Sequence, residues 1–455
     1  MNSPETFSRT DTLFKHARHA LKEARCAGNA APAFLNFAGQ FLTREWTVLV
    51  AGLRSVGKSS FVSAFWGDAD LLPTAVRDCT QTNTLVRVPG ANEADHGLAV
   101  EFLARERALE FATKDLAFER LTALLRDEMG FDAPNLDALP PLERLRALPQ
   151  AVRKLFADRP QTAVLYDPLL DEVEKLEQFL EFIETPAYTP GVMRTAPWSE
   201  RREHLMGHRR PDGRTVDVGK LLAYARVHVV RASSVWPAGL APTLIDTPWI
   251  PERHDARRAQ LILEEAPRAD VLCVVAHPEK FELEPWLTRH FREHPQAPAR
   301  TLLIFNQVDM VDANQLYRRE GWAESYEENL KRLRSLGLRE ANLRMTCARL
   351  PFLCGMPSDP AASERAEKLR TVLARLKTCA TQRPESPFRT KVETACTEDG
   401  GLETVRARFL ELRTEVLRKR AADALRQLLA NDGLDAEIVA EARALSTLWE
   451  PPRPF

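Results

Sequence analysis

Several chemistries are excluded by what this 455-residue sequence has little of. Cysteine is scarce: the seven thiols are scattered, odd in number and never spaced as CxxC, which disfavours a disulfide framework and fits reduced thiols in a cytosolic protein. No apolar run reaches the roughly 18 residues that a membrane-crossing helix needs. The N-terminal MNSPETFSRT is polar and carries no signal core. A cytoplasmic protein is expected, at most peripheral at a membrane. Charge of one sign is also missing. The 63 basic and 64 acidic side chains leave a net charge of -1, so no overall field gathers nucleic acid, and none is expected as a partner. The ten histidines contain no HExxH, and His16 with His19 falls on a solvated helix face, so a zinc site or catalytic triad finds no support. Internal repeats and low-complexity tracts are absent as well.

What is present reads as a large globular domain joined to a smaller unit. Apolar runs bounded by turn residues predict strands at Trp46 to Ala51, Thr84 to Val88, Leu98 to Leu103, Ala225 to Val230, Pro242 to Ile245, Val271 to Val275 and Leu302 to Phe305. Helical stretches separate several of these, and that alternation predicts an α/β fold with a mostly parallel sheet flanked by helices. Before the first strand, Leu13, Phe14, Ala17, Leu21 and Ala24 share one face of a helix over Thr12 to Ala27, and a second helix follows over Pro32 to Leu42. Proline-rich stretches at Leu139 to Gln150 and Arg383 to Phe388 are expected to be surface loops.

The sharpest motif is GLRSVGKS at Gly52 to Ser59, which satisfies GxxxxGK[ST] directly after a predicted strand and before the helical segment Ser60 to Trp66. Glycines at 52 and 57 let the backbone curl so that its N–H groups and the helix N-terminus surround phosphates. Lys58 adds a point charge at the β/γ-phosphates, and Ser59 offers a hydroxyl to Mg²⁺. Gly52, Arg54, Ser55, Val56, Gly57, Lys58, Ser59 and Ser60 are therefore expected around the nucleotide.

Two later motifs bear on which base is read. Asn306, Gln307, Val308 and Asp309 follow an apolar strand and resemble the NKxD element, whose aspartate accepts hydrogen bonds from guanine. Asn306 is expected to tie that loop to the P-loop, and Gln307 stands where the lysine stem normally lies along the base. Thr346 to Arg349 resembles the loop whose backbone N–H meets the guanine oxygen, with Cys347 and Ala348 in the contacting positions. Between these motifs, the strand Thr243 to Ile245 ends in Asp246, Thr247, Pro248 and Trp249 and looks like a DxxG switch. Asp246 would hold the Mg²⁺ shell. Trp249 replaces the glycine, and a bulky side chain there limits the backbone's approach to the γ-phosphate.

Taken in order, AGLRSVGKSS at Ala51 to Ser60, LLPT at Leu71 to Thr74 and DCT at Asp78 to Thr80 resemble the P-loop, helix and switch I of the dynamin superfamily, with LLPT closest to bacterial dynamin-like proteins. The resemblance covers roughly Trp46 to Val88, Val227 to Ala276 and Thr301 to Leu417. It implies a Mg²⁺-dependent GTPase in which Thr80 coordinates the metal and places the attacking water, Thr82 being second by register. Metal ligands would be Ser59, Thr80 and Asp246. Catalytic roles would fall to Ser55, Lys58, Thr80 and Arg54. Arg54 occupies the position of a water-orienting glutamine and has two readings: a finger stabilising transition-state charge in cis, or a solvated residue on the loop rim.

The resulting layout has N-terminal neck helices over 1–43, a first GTPase segment over 44–103, a mainly helical insertion over 104–220, a second GTPase segment over 221–417 and a helical tail over 418–455. Phe102 to Leu125 and Leu169 to Ile183 carry the amphipathic pattern of the insertion. Leu402, Val405, Phe409, Leu412 and Val416 keep the spacing of a closing helix that runs on to Leu429 before Asn431, Asp432 and Gly433 stop it. A dynamin stalk is not expected in the stretch that follows. Two functions are compatible: a working GTPase that couples nucleotide-driven pairing, with itself or with a companion dynamin-like subunit, to membrane remodelling or partner assembly; and a nucleotide-binding scaffold that hydrolyses little. An ATP-dependent P-loop enzyme is a third, disfavoured by NQVD.

Overall fold

The computed structural model describes residues 46–429 apart from 54, 74–81, 91–92, 131–134, 167–168, 207, 210–214, 217–218, 237–239, 249–261, 263, 267–268, 278–283, 311–321, 352–366, 368–369 and 376–398. The N-terminal helices expected before residue 43, Arg54, Thr80, Trp249, the loop Arg383 to Phe388 and the Asn431 to Gly433 stop therefore lie outside the described residues. The chain divides into two compact units, one comprising Met1–Trp46 with Leu410–Phe455 and the other Thr47–Phe409.

The second unit is built on strands β1 (Thr47–Gly52), β2 (Asn83–Arg87), β3 (Gly97–Phe102), β4 (Met193–Ala196), a small hairpin of β5 (His208–Arg209) and β6 (Thr215–Val216), then β7 (Tyr224–Val230), β8 (Thr243–Asp246), β9 (Val271–Ala276), β10 (Thr301–Phe305) and β11 (Leu343–Met345). Nine of them form one sheet in the order β11-β10-β9-β1-β8-β2-β7-β3-β4. All seven predicted strands are there. The three-residue β11 and the exposed edge strand β4 are too short, or too polar, to show in an apolar pattern. Pairing is parallel from β11 through β8. β2 runs antiparallel to β8 and parallel to β7, and β3 and β4 then alternate antiparallel. The central strands explain the long apolar runs: β9 (VLCVVA) is buried at every position and β1 (TVLVAG) at all but Thr47, as strands covered on both faces must be.

The described α-helices are α1 (Lys58–Trp66), α2 (Arg105–Ala112), α3 (Leu116–Met129), α4 (Pro141–Asp158), α5 (Pro160–Leu165), α6 (Leu170–Phe182), α7 (Arg201–Met206), α8 (Glu284–Glu293), α9 (Trp322–Ser335) and α10 (Leu402–Leu429), with short 3-10 turns between some of them. The stretch between β3 and β7 is mainly helical, with Leu121, Leu145, Leu148, Val152, Val173, Leu176 and Phe179 buried along the facing stripes of α3, α4 and α6.

Two sequence expectations are corrected here. The stretch Phe102 to Leu125 is not one helix: Phe102 ends β3, and the helical part breaks at Asp115. Asp115 accepts from the Ala117 N–H at 3.0 Å and so caps α3, while Lys175 Nζ of α6 reaches the same oxygen at 2.6 Å. The stretch Leu139 to Gln150 is not a surface loop. Pro141 opens α4, where a missing N–H costs nothing, and Pro149 sits buried inside the helix beside Leu148 and Val152. An interior proline costs about 3 kcal/mol, which the apolar stripe from Leu145 to Phe156 offsets by burial.

α1 leads from the P-loop into the core. Its Phe65 packs against Phe409 near the start of α10, with ring centroids 4.9 Å apart, and against Trp236 at 5.1 Å.

Candidate functional site

Because β1, β8, β9, β10 and β11 run in one direction, their carboxyl ends emerge along one edge of the sheet. That edge is where ligands of open α/β sheets bind. It brings together Gly52 from β1, Asp246 from β8, Asn306 after β10 and Thr346 after β11.

At the P-loop the backbone leaves β1 where no side chain fits. A Cβ on Gly52 would lie 2.2 Å from the Val275 carbonyl oxygen of the neighbouring strand. The loop then turns through left-handed conformations at Ser55 (φ 60) and Gly57 (φ 79). Gly57 is the N-cap of α1, and its carbonyl accepts from the Phe61 N–H at 2.8 Å. The first-turn N–H groups of α1 thus point out of the curl, as anion binding at a helix N-terminus requires. Lys58 is 8% exposed, and its Nζ donates to the Leu53 carbonyl at 2.9 Å, which folds its charge over the loop.

Ser59 follows on α1, and its Oγ donates to Asp246 Oδ2 at 2.9 Å. Asp246 ends β8 at 1% exposure. It is held there by its neighbour: the Thr247 N–H and Oγ1 both donate to the Val50 carbonyl of β1, at 3.2 and 2.9 Å. A hydroxyl and a buried carboxylate side by side below the curled loop are the hard oxygen donors that Mg²⁺ takes, so the residues fit that ion.

The other half of the site is organised by Asn306, which is 1% exposed. Its Nδ2 donates to the Val56 and Gly57 carbonyls of the P-loop at 3.1 and 3.4 Å. Its Oδ1 accepts from Thr346 Oγ1 at 3.1 Å and from the Ala348 N–H at 3.0 Å. One side chain therefore fixes the P-loop, the NQVD loop and the TCAR loop against each other. Gln307, itself left-handed at φ 61, adds a second tie from Nε2 to the Ser55 carbonyl at 3.3 Å. Its amide reaches a P-loop carbonyl with a neutral donor, where the NKxD pattern has an ammonium.

Asp309 is fully buried. Its Oδ1 accepts from Cys347 Sγ at 3.0 Å, and its Oδ2 pairs with the Arg349 guanidinium. Burial, reinforced by the Asp309 charge, pushes the Cys347 thiol above its usual range and keeps it a neutral S–H donor.

Of the expected site residues, Gly52, Ser55, Val56, Gly57, Lys58, Ser59, Ser60, Asp246, Asn306, Gln307, Asp309, Cys347 and Ala348 all lie at this edge of the sheet, on strand ends, the connecting loops or the first turn of α1. Arg54 and Thr80 are outside the described residues. Thr82, the second choice for the switch threonine, is 1% exposed, and its Oγ1 is bonded to the Tyr224 and Ala225 carbonyls of β7 at 3.3 and 3.4 Å. That hydroxyl serves the sheet. Three contributors were not singled out in the sequence: Thr247, Thr346 and Arg349. Each sits inside a recognised motif, but its role depends on partners far along the chain.

No protein-family model matches the sequence, and no curated protein matches it either. Among solved structures, the chain is similar to two of an oligomerised bacterial dynamin pair, described as providing a mechanism for long-range sensing and tethering of membranes. The TM-scores are 0.44 and 0.41, at 11% and 10% identity, with 98% of this chain covered in each case. The chain spans 64% and 65% of the length of those chains.

Proposed function

We propose that this protein binds GTP with Mg²⁺ and hydrolyses it as a dynamin-like GTPase, with nucleotide-driven pairing to a second copy or a companion dynamin-like chain coupled to membrane remodelling or partner assembly. The observation that supports the reading is the Asn306 frame, which ties the GLRSVGKS loop to the TCAR loop, whose Cys347 in turn bonds the buried Asp309. A nucleotide laid across it would meet backbone N–H groups and Lys58 at its phosphates and Asp309 at its base. Guanine offers adjacent N1–H and N2–H donors to a carboxylate, whereas adenine sets an acceptor against it, so a buried Asp309 favours guanine.

Ser59 and Asp246 would hold Mg²⁺, which when bound neutralises charge on the β/γ-phosphates. Lys58 supplies the chain's own positive charge there, and the curled backbone orients the phosphates without reorganising. Thr80 and Ser55 are assigned to water placement and charge compensation on the motif resemblance, as is Arg54 for transition-state charge.

The test is steady-state hydrolysis of GTP and ATP with Mg²⁺ over a protein-concentration series, with Lys58→Ala as control and a parallel arm containing lipid vesicles. GTP-selective turnover that rises per molecule with concentration and disappears in Lys58→Ala is the expected result. Stimulation by vesicles would place the activity at a membrane. Tight GTP binding with no turnover at any concentration would replace the enzyme with a nucleotide-gated scaffold.

A further inference from the structure

One loop engages the two carboxylate oxygens of Asp309 unequally: Oδ1 accepts from the Cys347 thiol at 3.0 Å, whereas Oδ2, with no hydrogen-bond donor among the described residues, has the ion pair with Arg349. The two partners of the ion pair are unlike in setting. The Asp309 side chain is 1% exposed and that of Arg349 is 46% exposed, so a buried carboxylate is held by a guanidinium half in water. A buried carboxylate must keep a donor, because leaving it bare costs more than the pair gains. The guanidinium is under no such constraint: released, it is solvated at once. Guanine's N1–H and N2–H present the same flat two-donor fork as a guanidinium. The guanidinium and the guanine edge cannot both occupy Oδ2.

We propose that Arg349 is an affinity-setting residue that competes with the guanine edge for Asp309, so that base binding exchanges an ion pair at Oδ2 for a hydrogen bond from the base. The inference rests on the guanine-nucleotide reading given above. Its consequence is selective. Only a base that brings its own donors to Asp309 can displace Arg349, and the returning guanidinium helps the base to leave. Cys347 keeps its hold on Oδ1 from within the buried loop until the base arrives, and the carboxylate is never stranded. Position 349 also restores a cation to a base-reading region in which Gln307 has replaced the lysine.

The experiment is stopped-flow association and equilibrium binding of a fluorescent GDP, with Mg²⁺, to the full-length wild type, Arg349→Ala and Arg349→Gln. A fluorescent ADP runs alongside, and thermal melts confirm folding. With the guanidinium half in water, its release costs little, so the expected gain is about two- to fivefold in association rate and in affinity for GDP, with ADP unchanged. Arg349→Gln should do the same, because it keeps bulk and polarity while removing the charge. Unchanged or weaker GDP binding in both variants, with the wild type binding normally, overturns the competition and leaves the guanine reading standing. Equal gains for GDP and ADP overturn it too, since they would report general loosening of the loop. If folded wild type and folded variants bind no guanine nucleotide, the guanine reading itself fails and this inference falls with it.

Discussion

Ser59 Oγ and Asp246 Oδ2 meet at 2.9 Å although 187 positions separate them in sequence. The hydroxyl belongs to the first turn of the helix after the P-loop, and the carboxylate to the end of the adjacent parallel strand. Ser59→Ala removes one donor from this pair without disturbing the core. The expected outcome is a fall of about ten- to a hundredfold in Mg²⁺-dependent nucleotide affinity, with circular dichroism unchanged. Titration calorimetry with and without Mg²⁺ checks it, and equal binding in both conditions would remove Ser59 from the metal's ligands.

Asp309→Asn exchanges a carboxylate oxygen for an amide N–H. Xanthine carries a carbonyl where guanine carries its amino group, so the preference should move from GTP toward XTP by roughly a hundredfold or more. Competition binding with both nucleotides measures this. A variant that keeps its preference for GTP would show that the base is read elsewhere.

Asn306→Ala strips three loops of a shared partner. It leaves the Val56 and Gly57 carbonyls, the Ala348 N–H and the Thr346 hydroxyl in a buried setting without their amide. A loss of about 2–4 kcal/mol of stability is expected from the unsatisfied groups. Urea unfolding gives the number, and a loss below about 1 kcal/mol would mean that the loops hold together without Asn306.

Acidification should weaken the fold through His290 of α8. This side chain is 3% exposed and stacked at 5.4 Å on Trp286, with its Nδ1 buried and unbonded. Burial, aided by His294 and Arg300, pushes its pKa down to about 4. In the unfolded chain the group titrates near ~6.5, so between those values the unfolded state binds the extra proton. Its contribution is complete above about pH 6.5 and is lost as the pH falls toward 4, at up to about 1.4 kcal/mol per pH unit. His290→Phe keeps a ring on Trp286 without the titration. The slope of urea stability between pH 7 and pH 5 (~ two units within the range of interest) should be shallower in that variant; equal slopes would assign the acid sensitivity to other groups.

The parts of this molecule that could be read from sequence are those whose cause is local. GLRSVGKS carries its own turn chemistry, and β1 and β9 announce themselves as strands because burial on both faces needs unbroken apolar runs. Direction is not local. Nothing in the residues 83–87 says that β2 runs against β8, a fact settled by pairing across the sheet. The break at Asp115 was hidden because the apolar spacing continues through it, and only the capping bond to Ala117 separates the helices. Pro149 misled for the opposite reason: a local breaker is overruled by the buried stripe around it. In the site, the NQVD spacing pointed to Asp309, but the donors that hold it come from a loop beyond β11, a strand too short to be anticipated.

Glu264 and Glu265 are neighbours in the chain whose carboxylates take partners in different bodies of the structure. Glu264 pairs with Arg107 of α2, in the mainly helical stretch between β3 and β7, and Glu265 with Arg226 of β7, in the sheet. The first pair lies largely in solvent and the second is nearly enclosed, with Glu265 only 8% exposed. Added salt will loosen the outer contact long before the inner one. Ionic strength thus acts selectively on these two neighbours: added salt weakens the hold of Arg107 on Glu264, while Glu265 keeps its pairing with the sheet.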